Sequence, residues 1–255
     1  MRVKLEICFK KSTLKKSDYK NIIDKLVVFT PYFMTCNNKT SKWDEEKCLS
    51  VLSLGKMKGQ VFIVDEAHDN YLSMGNAGSK DSFLSITLCN ILSLGIPSDR
   101  LIEELISKNG FISAYLLNDD YETVQSETFS NNLKGKDFSK EILDSIKDTP
   151  ARNEMWGGKE YDVRFNPGRS ILIDYTWLMT GWRMWFGEEF FKLVSKNILL
   201  SFPFADQVKE LSNGIVYVQL YNNIQTPYTT DAVFKQWKWR EWLDYDGLES
   251  GNVSK

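Results

Sequence analysis

Few side chains in this 255-residue chain are equipped for covalent or metal chemistry. His68 is the only histidine, and the cysteines are Cys8, Cys36, Cys48 and Cys89. A histidine-containing metal site would need Cys or carboxylate partners, and no spacing nominates them. No cysteine pair has zinc-ribbon or Cys-x-x-Cys spacing, so free thiols in a reducing compartment are expected, with no metal and no cofactor. A Ser-His-Asp triad would have to use His68, and no G-x-S-x-G elbow is present. Ser12-x-x-Lys15 and Ser53-x-x-Lys56 match S-x-x-K but lack the S-D-N and K-T-G companions. Paired carboxylates are the chemistry hardest to set aside. A glycosidase needs only two Asp/Glu at the right separation in space, and eight tryptophans could supply sugar-stacking platforms.

Val64-Asp65-Glu66-Ala67-His68 follows the apolar run Val61-Phe62-Ile63 and resembles the acidic box of helicases. That chemistry also needs an upstream phosphate cradle, G-x-x-x-x-G-K-[ST]. None exists, and Gly75-Asn76-Ala77-Gly78-Ser79-Lys80 reverses the last two residues and lies after the box. The expectation is a strand end whose polar loop begins at Asp65, without ATP hydrolysis.

These residues must be held by a fold, and the patterns indicate which. Val3, Leu5, Ile7 and Phe9 alternate with Lys4, Glu6 and Cys8, which predicts a strand with one wet face. Ser17 offers a helix N-cap before Tyr19, Ile22, Ile23 and Leu26, and Pro31 ends that helix. A short helix is possible after Asp44. Val61–Val64, 83–92 and Phe111–Leu117 read as strands. Ser98 caps a helix with Leu101, Ile102, Leu105 and Ile106 on one stripe, stopped by Asn109-Gly110. Residues 118–137 read as a polar loop and 139–147 as a short helix. Beyond them, Tyr161–Phe165, Ser170–Met179 and Ile215–Tyr221 read as strands. Helices are expected over Glu188–Phe202, over Pro203–Leu211 and from Thr230 to about Tyr245, with Trp177 in the core and at least one of Trp237 and Trp239 exposed.

Strands adjacent in sequence favour an α+β class, with mixed or antiparallel sheets and helices packed mainly on one face. Two similar-sized α+β halves are expected: 1–125, a polar connector over 126–155, and an aromatic-rich 156–255, or one continuous domain. Net charge is −2, which argues against a nucleic-acid partner. Residues 1–58 carry 13 Lys/Arg against 6 Asp/Glu, and the remainder 19 against 28. Lys10, Lys11, Lys15, Lys16, Lys20 and Lys25 read as a solvated turn and helix face. The N-terminal stretch has no apolar h-region, and residues 82–98 are too polar and too short to span a bilayer. A cytoplasmic protein with no membrane partner is expected.

Arg164-Phe165-Asn166-Pro167, a strand, Gly181-Trp182-Arg183-Met184-Trp185-Phe186-Gly187 and an amphipathic helix follow in order. The Val216–Tyr221 strand and a closing helix around Phe234, Arg240 and Leu243 complete the pattern. It resembles the immunity protein 52 family of bacterial polymorphic-toxin systems, over roughly 155–248 and more faintly 68–87. The resemblance implies a cytoplasmic, non-enzymatic α+β protein that neutralises a cognate secreted toxin by occlusion, with no catalytic residue. Partner contacts are expected from two acidic loops, Asp119, Asp120 and Glu122 and then Asp244 and Asp246. Trp239 or Trp242 on the final helix would be the aromatic anchor. The rival expectations are a carbohydrate-active enzyme using two carboxylates, and an adaptor or structural module of a phage or secretion system.

Overall fold

The computed structural model describes residues 1–53, 60–78, 82–155 and 158–251. Its elements run in the order β1 (Arg2–Lys10), α1 (Lys16–Leu26), β2 (Phe33–Cys36), β3 (Lys39–Lys42), α2 (Glu45–Ser53), β4 (Gln60–Val64), β5 (Tyr71–Ala77), β6 (Phe83–Ile91), α3 (Asp99–Ile106), β7 (Phe111–Asn118) and α4 (Asp119–Ser126). Then follow α5 (Lys140–Asp144), β8 (Ala151–Met155), β9 (Gly158–Tyr161), β10 (Ile171–Leu172), β11 (Trp177–Leu178), β12 (Arg183–Phe186), α6 (Lys196–Leu200), β13 (Gln207–Glu210), β14 (Val216–Gln219), α7 (Thr230–Trp242) and α8 (Tyr245–Glu249). Ten strands form one antiparallel sheet in the order β13-β14-β12-β7-β1-β6-β5-β4-β2-β3. The pairs β8–β9 and β10–β11 stand apart as small hairpins. The class is α+β, and the single large sheet runs through both of the expected halves. No helix among the described residues is long and apolar enough to cross a membrane.

Pairing register sorts the sheet into two faces. Val3, Leu5 and Ile7 of β1 share a face with Leu88 and Ile86 of β6, Leu116 and Ala114 of β7, and Leu72 and Met74 of β5. Helices α1, α2 and α3 cover this apolar face with Ile22, Ile23, Leu26, Leu49, Leu52, Ile102, Leu105 and Ile106, all buried. The opposite face carries Lys4, Glu6 and Cys8, flanked by Cys89, Thr87 and Ser85 of β6 and by Leu117, Tyr115 and Ser113 of β7. Alternation predicts this face as wet. The structure buries Glu6, Cys8, Ser85, Cys89, Ser113 and Tyr115, because β1 lies mid-sheet and α4 with later segments packs over it. The Tyr115 hydroxyl donates to the Trp177 carbonyl at 2.7 Å, and Phe186 stacks against Trp239 of α7. Helices therefore cover one face in the first half and the other face in the second.

Several elements differ from their sequence patterns. Residues 118–137 begin not as a loop but as α4, whose N-cap Asn118 accepts from the Tyr121 N–H. Glu188–Phe202 is not one helix but a 3₁₀ turn at Phe190–Lys192 followed by the five-residue α6. Pro203–Leu211 is not helix: its first four residues are bends and Gln207–Glu210 is strand β13. Apolar spacing there serves packing: Phe202 is buried and meets Trp239 edge-to-face just before the bends that lead into the strand. Ser170–Met179 is a hairpin with two paired residues per arm rather than a strand, and Val163–Phe165 is a 3₁₀ turn. Helix α1 starts at Lys16, with Lys15 rather than Ser17 as N-cap. The β2–β3 hairpin turns on Asn37 and Asn38, both at positive φ, as a two-residue turn of type I′ requires. Leu133, Ile142 and Ile146 of the connector region form a small second core with Tyr121 and Val124 of α4.

Candidate functional site

Two places concentrate polar or aromatic groups beyond what the fold alone would need. The first is built where β1 meets α4. Arg2 reaches both aspartates of α4, at 3.0 Å to Asp119 and 3.1 Å to Asp120. The Lys4 ammonium sits 3.2 Å from Glu122. Glu6 accepts from the hydroxyls of Ser85 and of Thr87, the latter at 2.7 Å. Glu122 also accepts from Ser126, at 3.1 Å, and from Ser170. The Cys89 thiol donates to Asp119 at 3.3 Å.

Burial drives the titration of this cluster, and the ion pairs redirect it. Burial would lower the Lys4 ammonium, but Glu122, Glu6 and Asp119 together raise it above its ordinary range. Burial pushes the Glu6 carboxyl up against the pull of Lys4 and its two hydroxyl donors. It would do the same to Glu122, but there Lys4 and Ser170 win and the carboxyl falls below its usual value. Asp119 is raised, by burial against Lys4 and Arg2. Two carboxylates with divergent acidities around a lysine have the form of an acid–base pair. Glu6 and Glu122 are nonetheless 2% and 8% exposed. Every one of their contacts given above is internal, so the arrangement clamps α4 onto the central strand.

The second place is the outer surface of α7 and the turn that precedes β13. Phe234 is 47% exposed and Trp242 42%, and Ile198 and Phe204 are exposed with them. Positions 234, 238 and 242 follow at i, i+4, i+8 and share one helix face. The rings are locked together: Phe204 meets Phe234 edge-on at 5.6 Å, Phe202 meets Phe204 at 5.7 Å, and Phe202 meets Trp242 at 6.0 Å. The Trp242 indole N–H donates to the Ile198 carbonyl at 2.9 Å. Around these rings stand Asp206, Asp231 and Glu241 with Lys235 and Lys238. Lys235 pairs with both aspartates, at 2.5 and 2.7 Å, and Lys238 pairs with Glu241.

Of the expected contact residues, Asp119, Asp120 and Glu122 are in the first turn of α4, buried, and not in an exposed loop. Trp239 is fully buried, its indole donating to the Tyr245 hydroxyl at 2.9 Å, so it presents no surface to a partner in this conformation. Trp237 is half-buried, so of the pair neither is exposed. Trp242, Asp244 and Asp246 face outward. Asp244 takes a left-handed conformation and caps α8, accepting from the Gly247 N–H, while Asp246 lies 3.6 Å from buried Arg169 and 3.8 Å from buried Arg240. Trp177 is half-buried against the main core.

Asp65 does begin a polar loop, accepting from the Asp69 and Asn70 backbone N–H groups and from the Asn70 side chain. His68 has positive φ and stacks on Phe33 at 5.6 Å. The four cysteines are free and buried. No group of three or more His, Cys, Asp and Glu side chains among the described residues is placed to hold a metal ion.

Sequence reasoning missed Lys4 and Glu6 as interior groups, Ser85 and Thr87 as the partners of Glu6, and Ser170 as a partner of Glu122. A signal existed: β6 carries small polar residues at alternate positions, Ser85 and Thr87, which suits a strand lying beside buried charge. It also missed Phe204 and Ile198, because the residues around them were read as helix. No family model, no curated protein and no solved structure matches the chain.

Proposed function

We propose that the chain is a non-enzymatic binding protein, an immunity protein that neutralises a cognate bacterial toxin domain in the cytoplasm by covering its working surface. The observation that carries this reading is the exposed aromatic surface of Ile198, Phe204, Phe234 and Trp242. A monomer seldom leaves rings of this size together in water without a use. Here the rings are fixed by one another and by an indole hydrogen bond, so docking them costs little ordering entropy. Phe234 and Trp242 lie eight residues apart on one helix, about 12 Å along its axis, a spacing suited to two anchors in neighbouring pockets. Asp206, Asp231 and Glu241 outnumber Lys235 and Lys238 around the rings, which suits a partner with a basic rim and speeds its association.

The test is co-expression with the toxin encoded beside the gene. The wild type should restore growth and co-purify with the toxin. Phe234→Ala/Trp242→Ala should fold, keep its melting temperature to within a few degrees and lose protection. A wild type that fails to protect ends the immunity reading. A double variant that protects as well as wild type moves the contact away from α7.

A further inference from the structure

We propose that the cavity between the β1–α1 turn and the end of α2 is a binding site for a phosphate group, either free or at the end of a small phosphomonoester. The turn supplies Lys11 and Ser12, α1 supplies Tyr19, and the end of β5 supplies Asn76. Leucine side chains and Ser53 complete the lining, and the Ser53 hydroxyl already donates to the Leu49 carbonyl. The cavity holds about 140 Å³. At about 30 Å³ per water that is room for roughly five waters. Such a space suits one tetrahedral oxyanion and leaves the rest of any larger ligand outside.

Tyr19 carries the inference. The residue is 5% exposed, and its ring belongs to the main core. Its hydroxyl has no hydrogen-bond partner among the described residues, yet it is not one of the unpartnered polar atoms sealed from solvent, as Asn90 Oδ1 is. The opening it reaches is this cavity. Burial and the neighbouring Asp18 push the phenol up, so at neutral pH it is a donor. The Lys11 ammonium, the Ser12 hydroxyl and the Asn76 amide are likewise without a partner among the described residues. No carboxylate lines the cavity, and Asp18 is held by Lys108 at 3.1 Å and by the Lys15 N–H at 2.9 Å. The nearby charges are uncompensated as well. Lys20 and Lys25 pair with Asp24, Glu45 and Glu104, whereas Lys10, Lys11, Lys15 and Lys16 have no carboxylate at ion-pair distance among the described residues. Lys15 and Lys16 open α1, the helix end at which the macrodipole disfavours positive charge. A phosphate dianion meets both demands, and its oxygens accept charge-assisted hydrogen bonds from several sides. Water would fill the cavity but neutralise none of these cations.

The probes are inorganic phosphate and glycerol 3-phosphate. Each is titrated into the full chain at an ionic strength held constant with sodium chloride, and followed by amide chemical shifts. Saturation should centre on residues 11–19 and 76. Tyr19→Phe removes only the hydroxyl and should raise the Kd by about tenfold or more, as should Lys11→Gln, with both spectra otherwise in place. Lys42→Gln removes an exposed lysine from β3 and should leave the Kd within about twofold. An ester that binds no more weakly than phosphate supports the site as the seat of a larger ligand's terminus, and exclusion of the ester supports it as a site for the free ion. No saturation by either compound, or shifts centred elsewhere, overturns the proposal. Equal weakening by Lys11→Gln and Lys42→Gln overturns it too, since the response is then a general attraction of anions to surface lysines. So does an unchanged Kd in Tyr19→Phe. If Tyr19→Phe does not fold, the comparison of Lys11→Gln with Lys42→Gln decides the matter alone.

Discussion

Lys4→Met tests the clamp between β1 and α4 directly. The substitution keeps the length of the side chain and removes its charge, leaving Glu6 and Glu122 buried with hydroxyl donors but no cation. At 3.2 Å and an effective dielectric near 20, the Lys4–Glu122 attraction is about 5 kcal/mol before desolvation. Breaking one side of a buried pair costs about 3–5 kcal/mol, because the remaining charge is stranded. At about 2–4 °C per kcal/mol for a chain of this size, the melting temperature should fall by roughly 10 °C at pH 7.

The sign of the pH dependence is fixed by the same geometry. In the wild type the lowered Glu122 contributes stability above the unfolded carboxyl value, lost as the pH drops through the folded one, whereas the raised Glu6 contributes in the opposite sense. Without Lys4 both carboxyls resist ionisation in the folded state. The folded variant then holds more protons than its unfolded form, so its deficit grows as pH rises through the carboxyl range and shrinks on acidification. Urea unfolding of wild type and variant from pH 4.5 to 8 measures this. Lys4→Met/Glu122→Gln should recover much of the loss, since the stranded charge is gone. A deficit below about 1 kcal/mol, or one that does not change with pH, refutes the clamp.

Four further outcomes follow from the same contacts. Trp239→Ala should cost about 3–5 kcal/mol in chemical unfolding, whereas Trp242→Ala should leave stability within about 1 kcal/mol and weaken toxin binding by about 2 kcal/mol or more in calorimetry. Asp119→Lys/Asp120→Lys should lower the melting temperature, because it sets lysines against Arg2, and should not slow association per folded molecule measured by stopped flow. Asn38→Val should destabilise by about 1–2 kcal/mol, since a β-branched residue is forced into the left-handed region, and Asn38→Gly should not. Burial pushes the Cys8 and Cys48 thiols up to about 12, so Ellman's reagent at pH 8 should react slowly with the native chain and with all four thiols in 6 M guanidinium.

What was legible in the sequence is what local pattern encodes. Val3 to Phe9 alternate strictly, so β1 was readable, and Ser98 with its helical stripe placed α3. The wet face assigned to β1 was wrong for a non-local reason: whether Lys4 and Glu6 meet water depends on α4, more than a hundred residues later. The Asp119-Asp120-Tyr121-Glu122 string looked like loop because acidic residues suit both a solvated turn and a helix N-terminus, and only Asn118 capping hinted at the second. Trp239 and Trp242 are alike to any sequence measure. Their separation into interior and surface comes from three residues of helical rotation against Phe186 and Phe202. The β2–β3 turn was the most readable of the omissions, since Asn37-Asn38 is a recognised hairpin pair, but its short flanking strands contain Lys39 and Lys42 and give little apolar alternation.

The position of β1 has a consequence for how the chain is made. Its two sheet neighbours are β6 and β7, and Val3 pairs with Asn118, so the central strand is translated long before either flank exists. At about 5–20 residues per second the roughly 80 residues from the end of β1 to the end of β6 take about 4–16 s. An unpaired strand with Leu5, Ile7 and Phe9 on one side is an open template for another nascent chain. Lys4 and Glu6 sit on its other side throughout the wait, and charges at such positions act as gatekeepers against intermolecular pairing. The same two side chains thus keep their charge in water through this interval, before Glu122 has been translated to receive Lys4.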